Sequence, residues 1–175
     1  GPDGGGGAVC EWVSEWVSEW VGQWVGERAG GGLVCVNKTR KSGKPMKMIR
    51  YHWQLDVYKL AVEAAMEIFE LTKTFPKEER YSLTDQVRRS SRSVSAQIAE
   101  AWRRRKYEAV FVNKLNESEG EAAESQAWLE YTVRCGYMGR DLGRQIHRKY
   151  DRIIGKLVNM GNHPKRWILA KTAEA

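Results

Sequence analysis

Histidine is scarce in this chain, and His52, His147 and His163 lie too far apart in sequence to suggest a metal motif. Cysteine is equally rare. Cys10, Cys35 and Cys135 form no CxxC pair, and an odd count leaves one thiol without an intrachain partner. A reduced, cytoplasmic setting is therefore expected. No uncharged apolar run approaches the roughly 18 residues a membrane span needs. The start lacks a basic stretch followed by an apolar one, so no signal peptide and no membrane partner are expected. A phosphate loop of the GxxxxGK type and a nucleophile elbow are both missing, and no cofactor is expected. No segment alternates apolar and polar residues between turn signals, which argues against a sheet.

What is present is charge, unevenly placed. The formal net charge is +7, and the whole excess lies in residues 46–175. A basic domain points to nucleic acid, an acidic protein surface or an anionic membrane. Residues 1–45 are neutral overall and differ in kind. Glycine runs at 4–7 and 30–32 flank four Trp-Val tetrads, from Glu11-Trp12-Val13-Ser14 to Gln23-Trp24-Val25-Gly26. As a helix the tetrads would be amphipathic and seek a partner. As a translated upstream repeat they would have no role, and Met46 and Met48 just beyond favour that reading. Two regions are thus expected: a low-complexity extension over 1–45 and a folded domain over 46–175.

From Met46 onward the pattern is helical. A first helix is expected over about 54–74, with Leu55, Tyr58, Val62, Ala65, Met66 and Phe69 inward and Pro76 as its stop. A second begins near Ser82, capped by Ser82 with Asp85; its apolar edge is Leu83, Val87, Val94, Ile98 and Trp102. The third covers about 107–135. Phe111, Leu115, Ser118, Ala122, Ser125, Leu129 and Thr132 step by four and three, which is a heptad seam. Gly136 can adopt the left-handed conformation that ends it. The fourth covers about 140–160, with Leu142, Ile146, Ile153, Leu157 and Met160 inward. Four helices with short connections predict an all-α, antiparallel up-and-down four-helix bundle.

Charge separates by helix. Residues 80–106 hold Arg80, Arg88, Arg89, Arg92, Arg103, Arg104, Arg105 and Lys106 against Asp85 and Glu100. Residues 107–133 hold six glutamates and one basic residue, Lys114. Basic residues return in the fourth helix, among them Arg140, Arg144 and Arg148. Arginine rows suit phosphates because the planar guanidinium donates two parallel hydrogen bonds. The same arginines could instead pair with the glutamates of the third helix. Trp102 beside four basic residues is a candidate base-stacking platform, or a cover for the core. Arg140 and His147 share a helix face and meet only the loosest form of a nuclease motif. Glu100 suits an internal pair with an arginine, since no second positioned carboxylate accompanies it.

Residues from about Tyr51 to Met160 also carry a resemblance, most specific in the second helix. Leu55-Asp56-Val57-Tyr58-Lys59, Glu79-Arg80-Tyr81, Gln86-Val87-Arg88-Arg89-Ser90 and Ser93 to Ala101 look like spaced signatures of the four helix bundle protein family. This is also called the 23S rRNA intervening-sequence protein family. Gln86, Gln97 and Glu100 fall on its motif positions. Ser95, Gln97 and Ala101 depart from it, standing where the family has Pro, Asn and Gly; without that Gly the second helix should extend toward Trp102. The resemblance implies a homo-oligomeric ring, typically a pentamer, and a non-enzymatic protein that binds RNA or DNA. Relatives serve as accessory proteins of diversity-generating retroelements, which makes a reverse transcriptase an alternative partner. A helical toxin-type ribonuclease and a purely structural scaffold are the competing expectations.

Overall fold

The computed structural model describes residues 49–169, all within the second of the two units into which the chain divides, Lys47–Ala175. The Trp-Val tetrads and both glycine runs lie outside the described residues. Four long helices carry the fold: α1 (Asp56–Leu71), α2 (Leu83–Arg104), α3 (Glu108–Arg134) and α4 (Arg140–Asn162). Short 3-10 turns at His52–Gln54, Thr72–Thr74, Lys77–Tyr81 and Pro164–Arg166 make up the remaining regular structure of these residues. Each helix packs on the next in chain order, and α1 closes the bundle against α4. Lys149 on α4 reaches Glu63 and Glu67 on α1 across that closing interface.

The heptad seam of α3 is buried along its whole length, from Phe111 to Thr132. It meets the small-residue edge of α2 closely enough for side-chain hydroxyls to bond across. Ser118 Oγ donates to the Val94 carbonyl at 2.9 Å and Ser125 Oγ to Ser90 Oγ at 3.0 Å. These bonds satisfy polar groups that would otherwise be expensive to bury. Leu83, Val87, Val94, Ile98 and Trp102 are buried as the α2 pattern requires. The helix runs past the buried Ala101 to Arg104, as expected where no glycine interrupts it.

Two expected faces are corrected. On α1 the buried residues are Val57, Ala61, Ala64, Ala65 and Ile68, while Met66 is 51% and Val62 37% exposed. The alanines let α1 approach its neighbours, so the packing stripe is set by small size and not by the bulkiest side chains. On α4 Leu142 is exposed; Gly143 and Tyr150 are buried in addition to Ile146, Ile153, Leu157 and Met160. Gly143 marks a tight approach of α3 and α4, since a Cβ there would lie 2.5 Å from Val133 Cγ2.

The helix ends follow local chemistry. Gly136 takes φ +75°, with Gly136 N–H on the Val133 carbonyl and Tyr137 N–H on the Thr132 carbonyl. That is a Schellman end, and it makes the positive φ of Gly136 necessary. The start of α2 differs from expectation. Ser82 makes no side-chain cap, and neither does Asp85. Instead Glu79 accepts the Leu83 N–H at 3.3 Å and the Ser82 hydroxyl. A carboxylate placed one turn before the helix does the capping, favoured by the positive end of the helix dipole.

Candidate nucleic-acid interface

The arginine run of α2 is split by helix geometry into two directions. Arg88 and Arg92, four residues apart, face α1. Arg88 Nε donates to Thr72 Oγ1 at 2.7 Å, and that hydroxyl in turn donates to the Phe69 carbonyl at 3.0 Å. The Arg88 and Arg92 guanidinium carbons lie 5.0 Å and 5.5 Å from the Phe69 ring centroid, within cation–π range. Lys73 joins them at 4.8 Å but is held by Glu70. Among the described residues no carboxylate forms an ion pair with Arg88 or Arg92. Arg89 points elsewhere: its Nη2 donates to Gln86 Oε1 at 2.7 Å. Its positive field also opposes the upward pull of burial and Glu124 on the Glu121 carboxyl.

At the C-terminal end of α2 the four basic residues have four different settings. Arg103 is exposed. Arg104 Nε pairs with Glu100 at 2.8 Å. Arg105 stacks over Trp102 at 4.1 Å, and burial, aided by Arg103, lowers its pKa. Lys106 lies 5.7 Å from the exposed Tyr107 ring. Trp102 itself is buried, donates its indole N–H to the Arg50 carbonyl at 3.1 Å and meets Trp167 edge-on. It covers the core, which corrects the base-stacking role considered for it.

The glutamates of α3 do not answer Arg88 and Arg92. Glu117 binds Lys114 at 2.6 Å, Glu130 binds Arg134, and Glu124 accepts the Trp128 indole N–H. Lys114 also reaches Glu100 at 3.1 Å, bridging the acidic helix to the basic one, and lies 3.4 Å from Gln97 Oε1. The Lys114 hydrogen bond is the main cause of the lowered Glu100 pKa; Glu117 is the main cause of the raised Lys114 pKa. Gln86, Gln97 and Glu100 therefore each hold a basic side chain in place.

On α4, Arg140 and Arg144 are half-buried, whereas Arg148 is exposed. His147 turns inward: Gln126 Nε2 lies 3.2 Å from its Nδ1, and Asp151 Oδ2 lies 3.5 Å away. Burial lowers its pKa against the opposing pull of Asp151. Of the basic residues expected at the interface, Arg89, Arg92, Arg103, Arg104, Lys106 and Arg148 are thus exposed, with half-buried Arg88 at their edge. Phe69 and Thr72, which orient Arg88 and Arg92, belong to another helix and its following turn. Nothing in the local pattern of α2 pointed to them.

Among the described residues no helix is long and apolar enough to cross a membrane, and no cluster of His, Cys, Asp or Glu could hold a metal ion. A four-helix bundle with a small-residue α2–α3 interface and a basic second helix defines the class. The chain belongs to the family of 23S rRNA-intervening sequence proteins, which residues 53–159 match. A protein of unknown function from Bacteroides thetaiotaomicron, described as of the S23 ribosomal protein family, has a similar crystal structure. It is 31% identical, with a TM-score of 0.56 over 61% of this chain and 95% of that one. Among curated proteins none matches the chain.

Proposed function

We propose that this protein is a non-enzymatic, homo-oligomeric nucleic-acid-binding protein of the cytoplasm, acting on structured RNA or DNA. The carrying observation is the pair Arg88 and Arg92, held over Phe69 with no carboxylate partner among the described residues. Ordering a guanidinium in advance lowers the entropic penalty of binding a phosphate. Arg103 and Lys106 add exposed positive charge at and just beyond the C-terminal end of the same helix. The family's association with ribosomal RNA supports RNA as the first ligand to test.

Self-association is supported by α1, whose Val62 and Met66 are exposed between half-buried Tyr58 and Phe69. Such a stripe on a helix whose other face is already packed suits a second copy, and five copies are the expected number. Titration of a fluorescent structured RNA against salt tests the binding. Affinity that falls steeply with salt supports the proposal; no affinity even at low salt defeats it.

A further inference from the structure

The 3-10 turn before α1 holds an aromatic pair that the bundle does not need. Tyr51 and Trp53 stack with ring centroids 4.3 Å apart and planes 5° apart, yet they are 49% and 52% exposed. His52 stands edge-on to Trp53 at 5.0 Å. The turn is pinned. Gln54 Oε1 accepts the N–H groups of Arg50 at 2.8 Å and Tyr51 at 3.0 Å. Backbone bonds from Gln54 N–H to Tyr51 and from Leu55 N–H to His52 close it, and buried Leu55 anchors its end. The Trp102 indole N–H then ties the Arg50 carbonyl to the last turn of α2, which carries Arg103 and leads into Arg105 and Lys106.

We propose that Tyr51 and Trp53 form a stacking platform for an unpaired nucleobase at this basic end of the bundle. The inference rests on the nucleic-acid reading of the basic surface and narrows it to single-stranded segments. Flat π-faces accept any base, while neighbouring cations hold the phosphates on either side. Bases within a duplex already stack on one another, so only unpaired or terminal ones can join the pair. The pinned turn keeps the two rings parallel without the ligand, which is what a preformed platform requires.

The test uses the full chain and two probes: a single-stranded RNA carrying one 2-aminopurine, and a fully paired duplex of the same length. Binding of the single strand should quench the 2-aminopurine. Tyr51→Ala with Trp53→Ala should weaken single-strand binding about tenfold or more and abolish the quench, leaving duplex affinity unchanged. Tyr51→Phe with Trp53→Phe should restore both. Gln54→Ala, which releases the turn but keeps both rings, should weaken binding in the same direction. Circular dichroism should show the helices intact in each variant. Unchanged affinity and quench in the alanine variant would overturn the platform while leaving the wider reading in place. Failure of the unaltered protein to bind either probe at low salt would overturn both. A change in sedimentation coefficient with unaltered RNA binding would make the pair an interface between copies and overturn the platform alone.

Discussion

The Arg88 guanidinium lies 5.0 Å from the centre of the Phe69 ring, with its Nε bound to Thr72 only three residues further along the chain. A cation so placed is oriented by its neighbours without being neutralised by them. That distinguishes it from Arg104, whose partner Glu100 is on the same helix.

Charge reversal of the pair, Arg88→Glu with Arg92→Glu, should weaken RNA binding at least tenfold. It should also make the dependence of log affinity on log salt shallower by about two, one for each phosphate that is no longer neutralised. The helical spectrum should be unchanged. If sedimentation shows that the oligomer dissociates while the unaltered protein binds no RNA, the arginines serve assembly instead.

Gly143→Ala sets two effects against each other. Alanine improves helix propensity by about 1 kcal/mol over glycine. Its Cβ, however, would lie 2.5 Å from Val133 Cγ2, a branched side chain with a stiff χ1. Overpacking of this kind costs about 1–3 kcal/mol, so net destabilisation is expected. Adding Val133→Ala should recover much of the loss. Urea melts of the two single variants and the double variant measure the coupling.

Acid should loosen the start of α2. Glu79 has its pKa lowered chiefly by the Ser82 hydroxyl and next by the Leu83 N–H, with Tyr137 adding a third bond. Its folded pKa is below its ordinary value of 4.5, so the unfolded chain binds the proton more readily. The contribution is present above pH 4.5 and fades as pH falls through the folded value. Glu79→Gln should therefore melt below the parent at pH 7, with the gap closing in acid. A gap independent of pH would refute the assignment.

Tyr150 offers a buried hydroxyl with no hydrogen-bond partner of good geometry, and burial raises its pKa. Tyr150→Phe should leave stability within about 1 kcal/mol of the parent or raise it, because an unsatisfied buried group is removed. Tyr150→Ala should cost about 3–5 kcal/mol, the scale for emptying a large aromatic site in a core. Thermal denaturation followed by circular dichroism reads both.

The bundle was legible where periodicity and packing agree. The α3 seam alternates steps of four and three with nothing to obscure it, and every position in it is buried. The stripe of α1 was misplaced because its packing depends on Ala61, Ala64 and Ala65, which carry little hydrophobic signal beside Met66 and Val62. The Ser82 cap failed for a related reason: Glu79 lies in a preceding 3-10 turn that brings its carboxylate back to the helix start. In the candidate interface, the intrahelical pair Glu100–Arg104 follows from spacing alone. The Arg88–Thr72 bond crosses between elements, and although the apolar edge of α2 already includes Trp102, its contacts with Arg50 and Trp167 join residues distant in sequence. Such interactions exist only once the helices are assembled.

The connection between α2 and α3 spans just residues 105–107, whereas α1 joins α2 through eleven residues, 72–82. Closing the shorter loop sacrifices less chain entropy, and the serine bonds from α3 can form as soon as it closes. The α2–α3 hairpin is thus the natural nucleus, and α1, with its alanine-rich packing face, is the helix most readily released. In native-state hydrogen exchange the amides of α1 should open first and those around Val94 and Ser118 last.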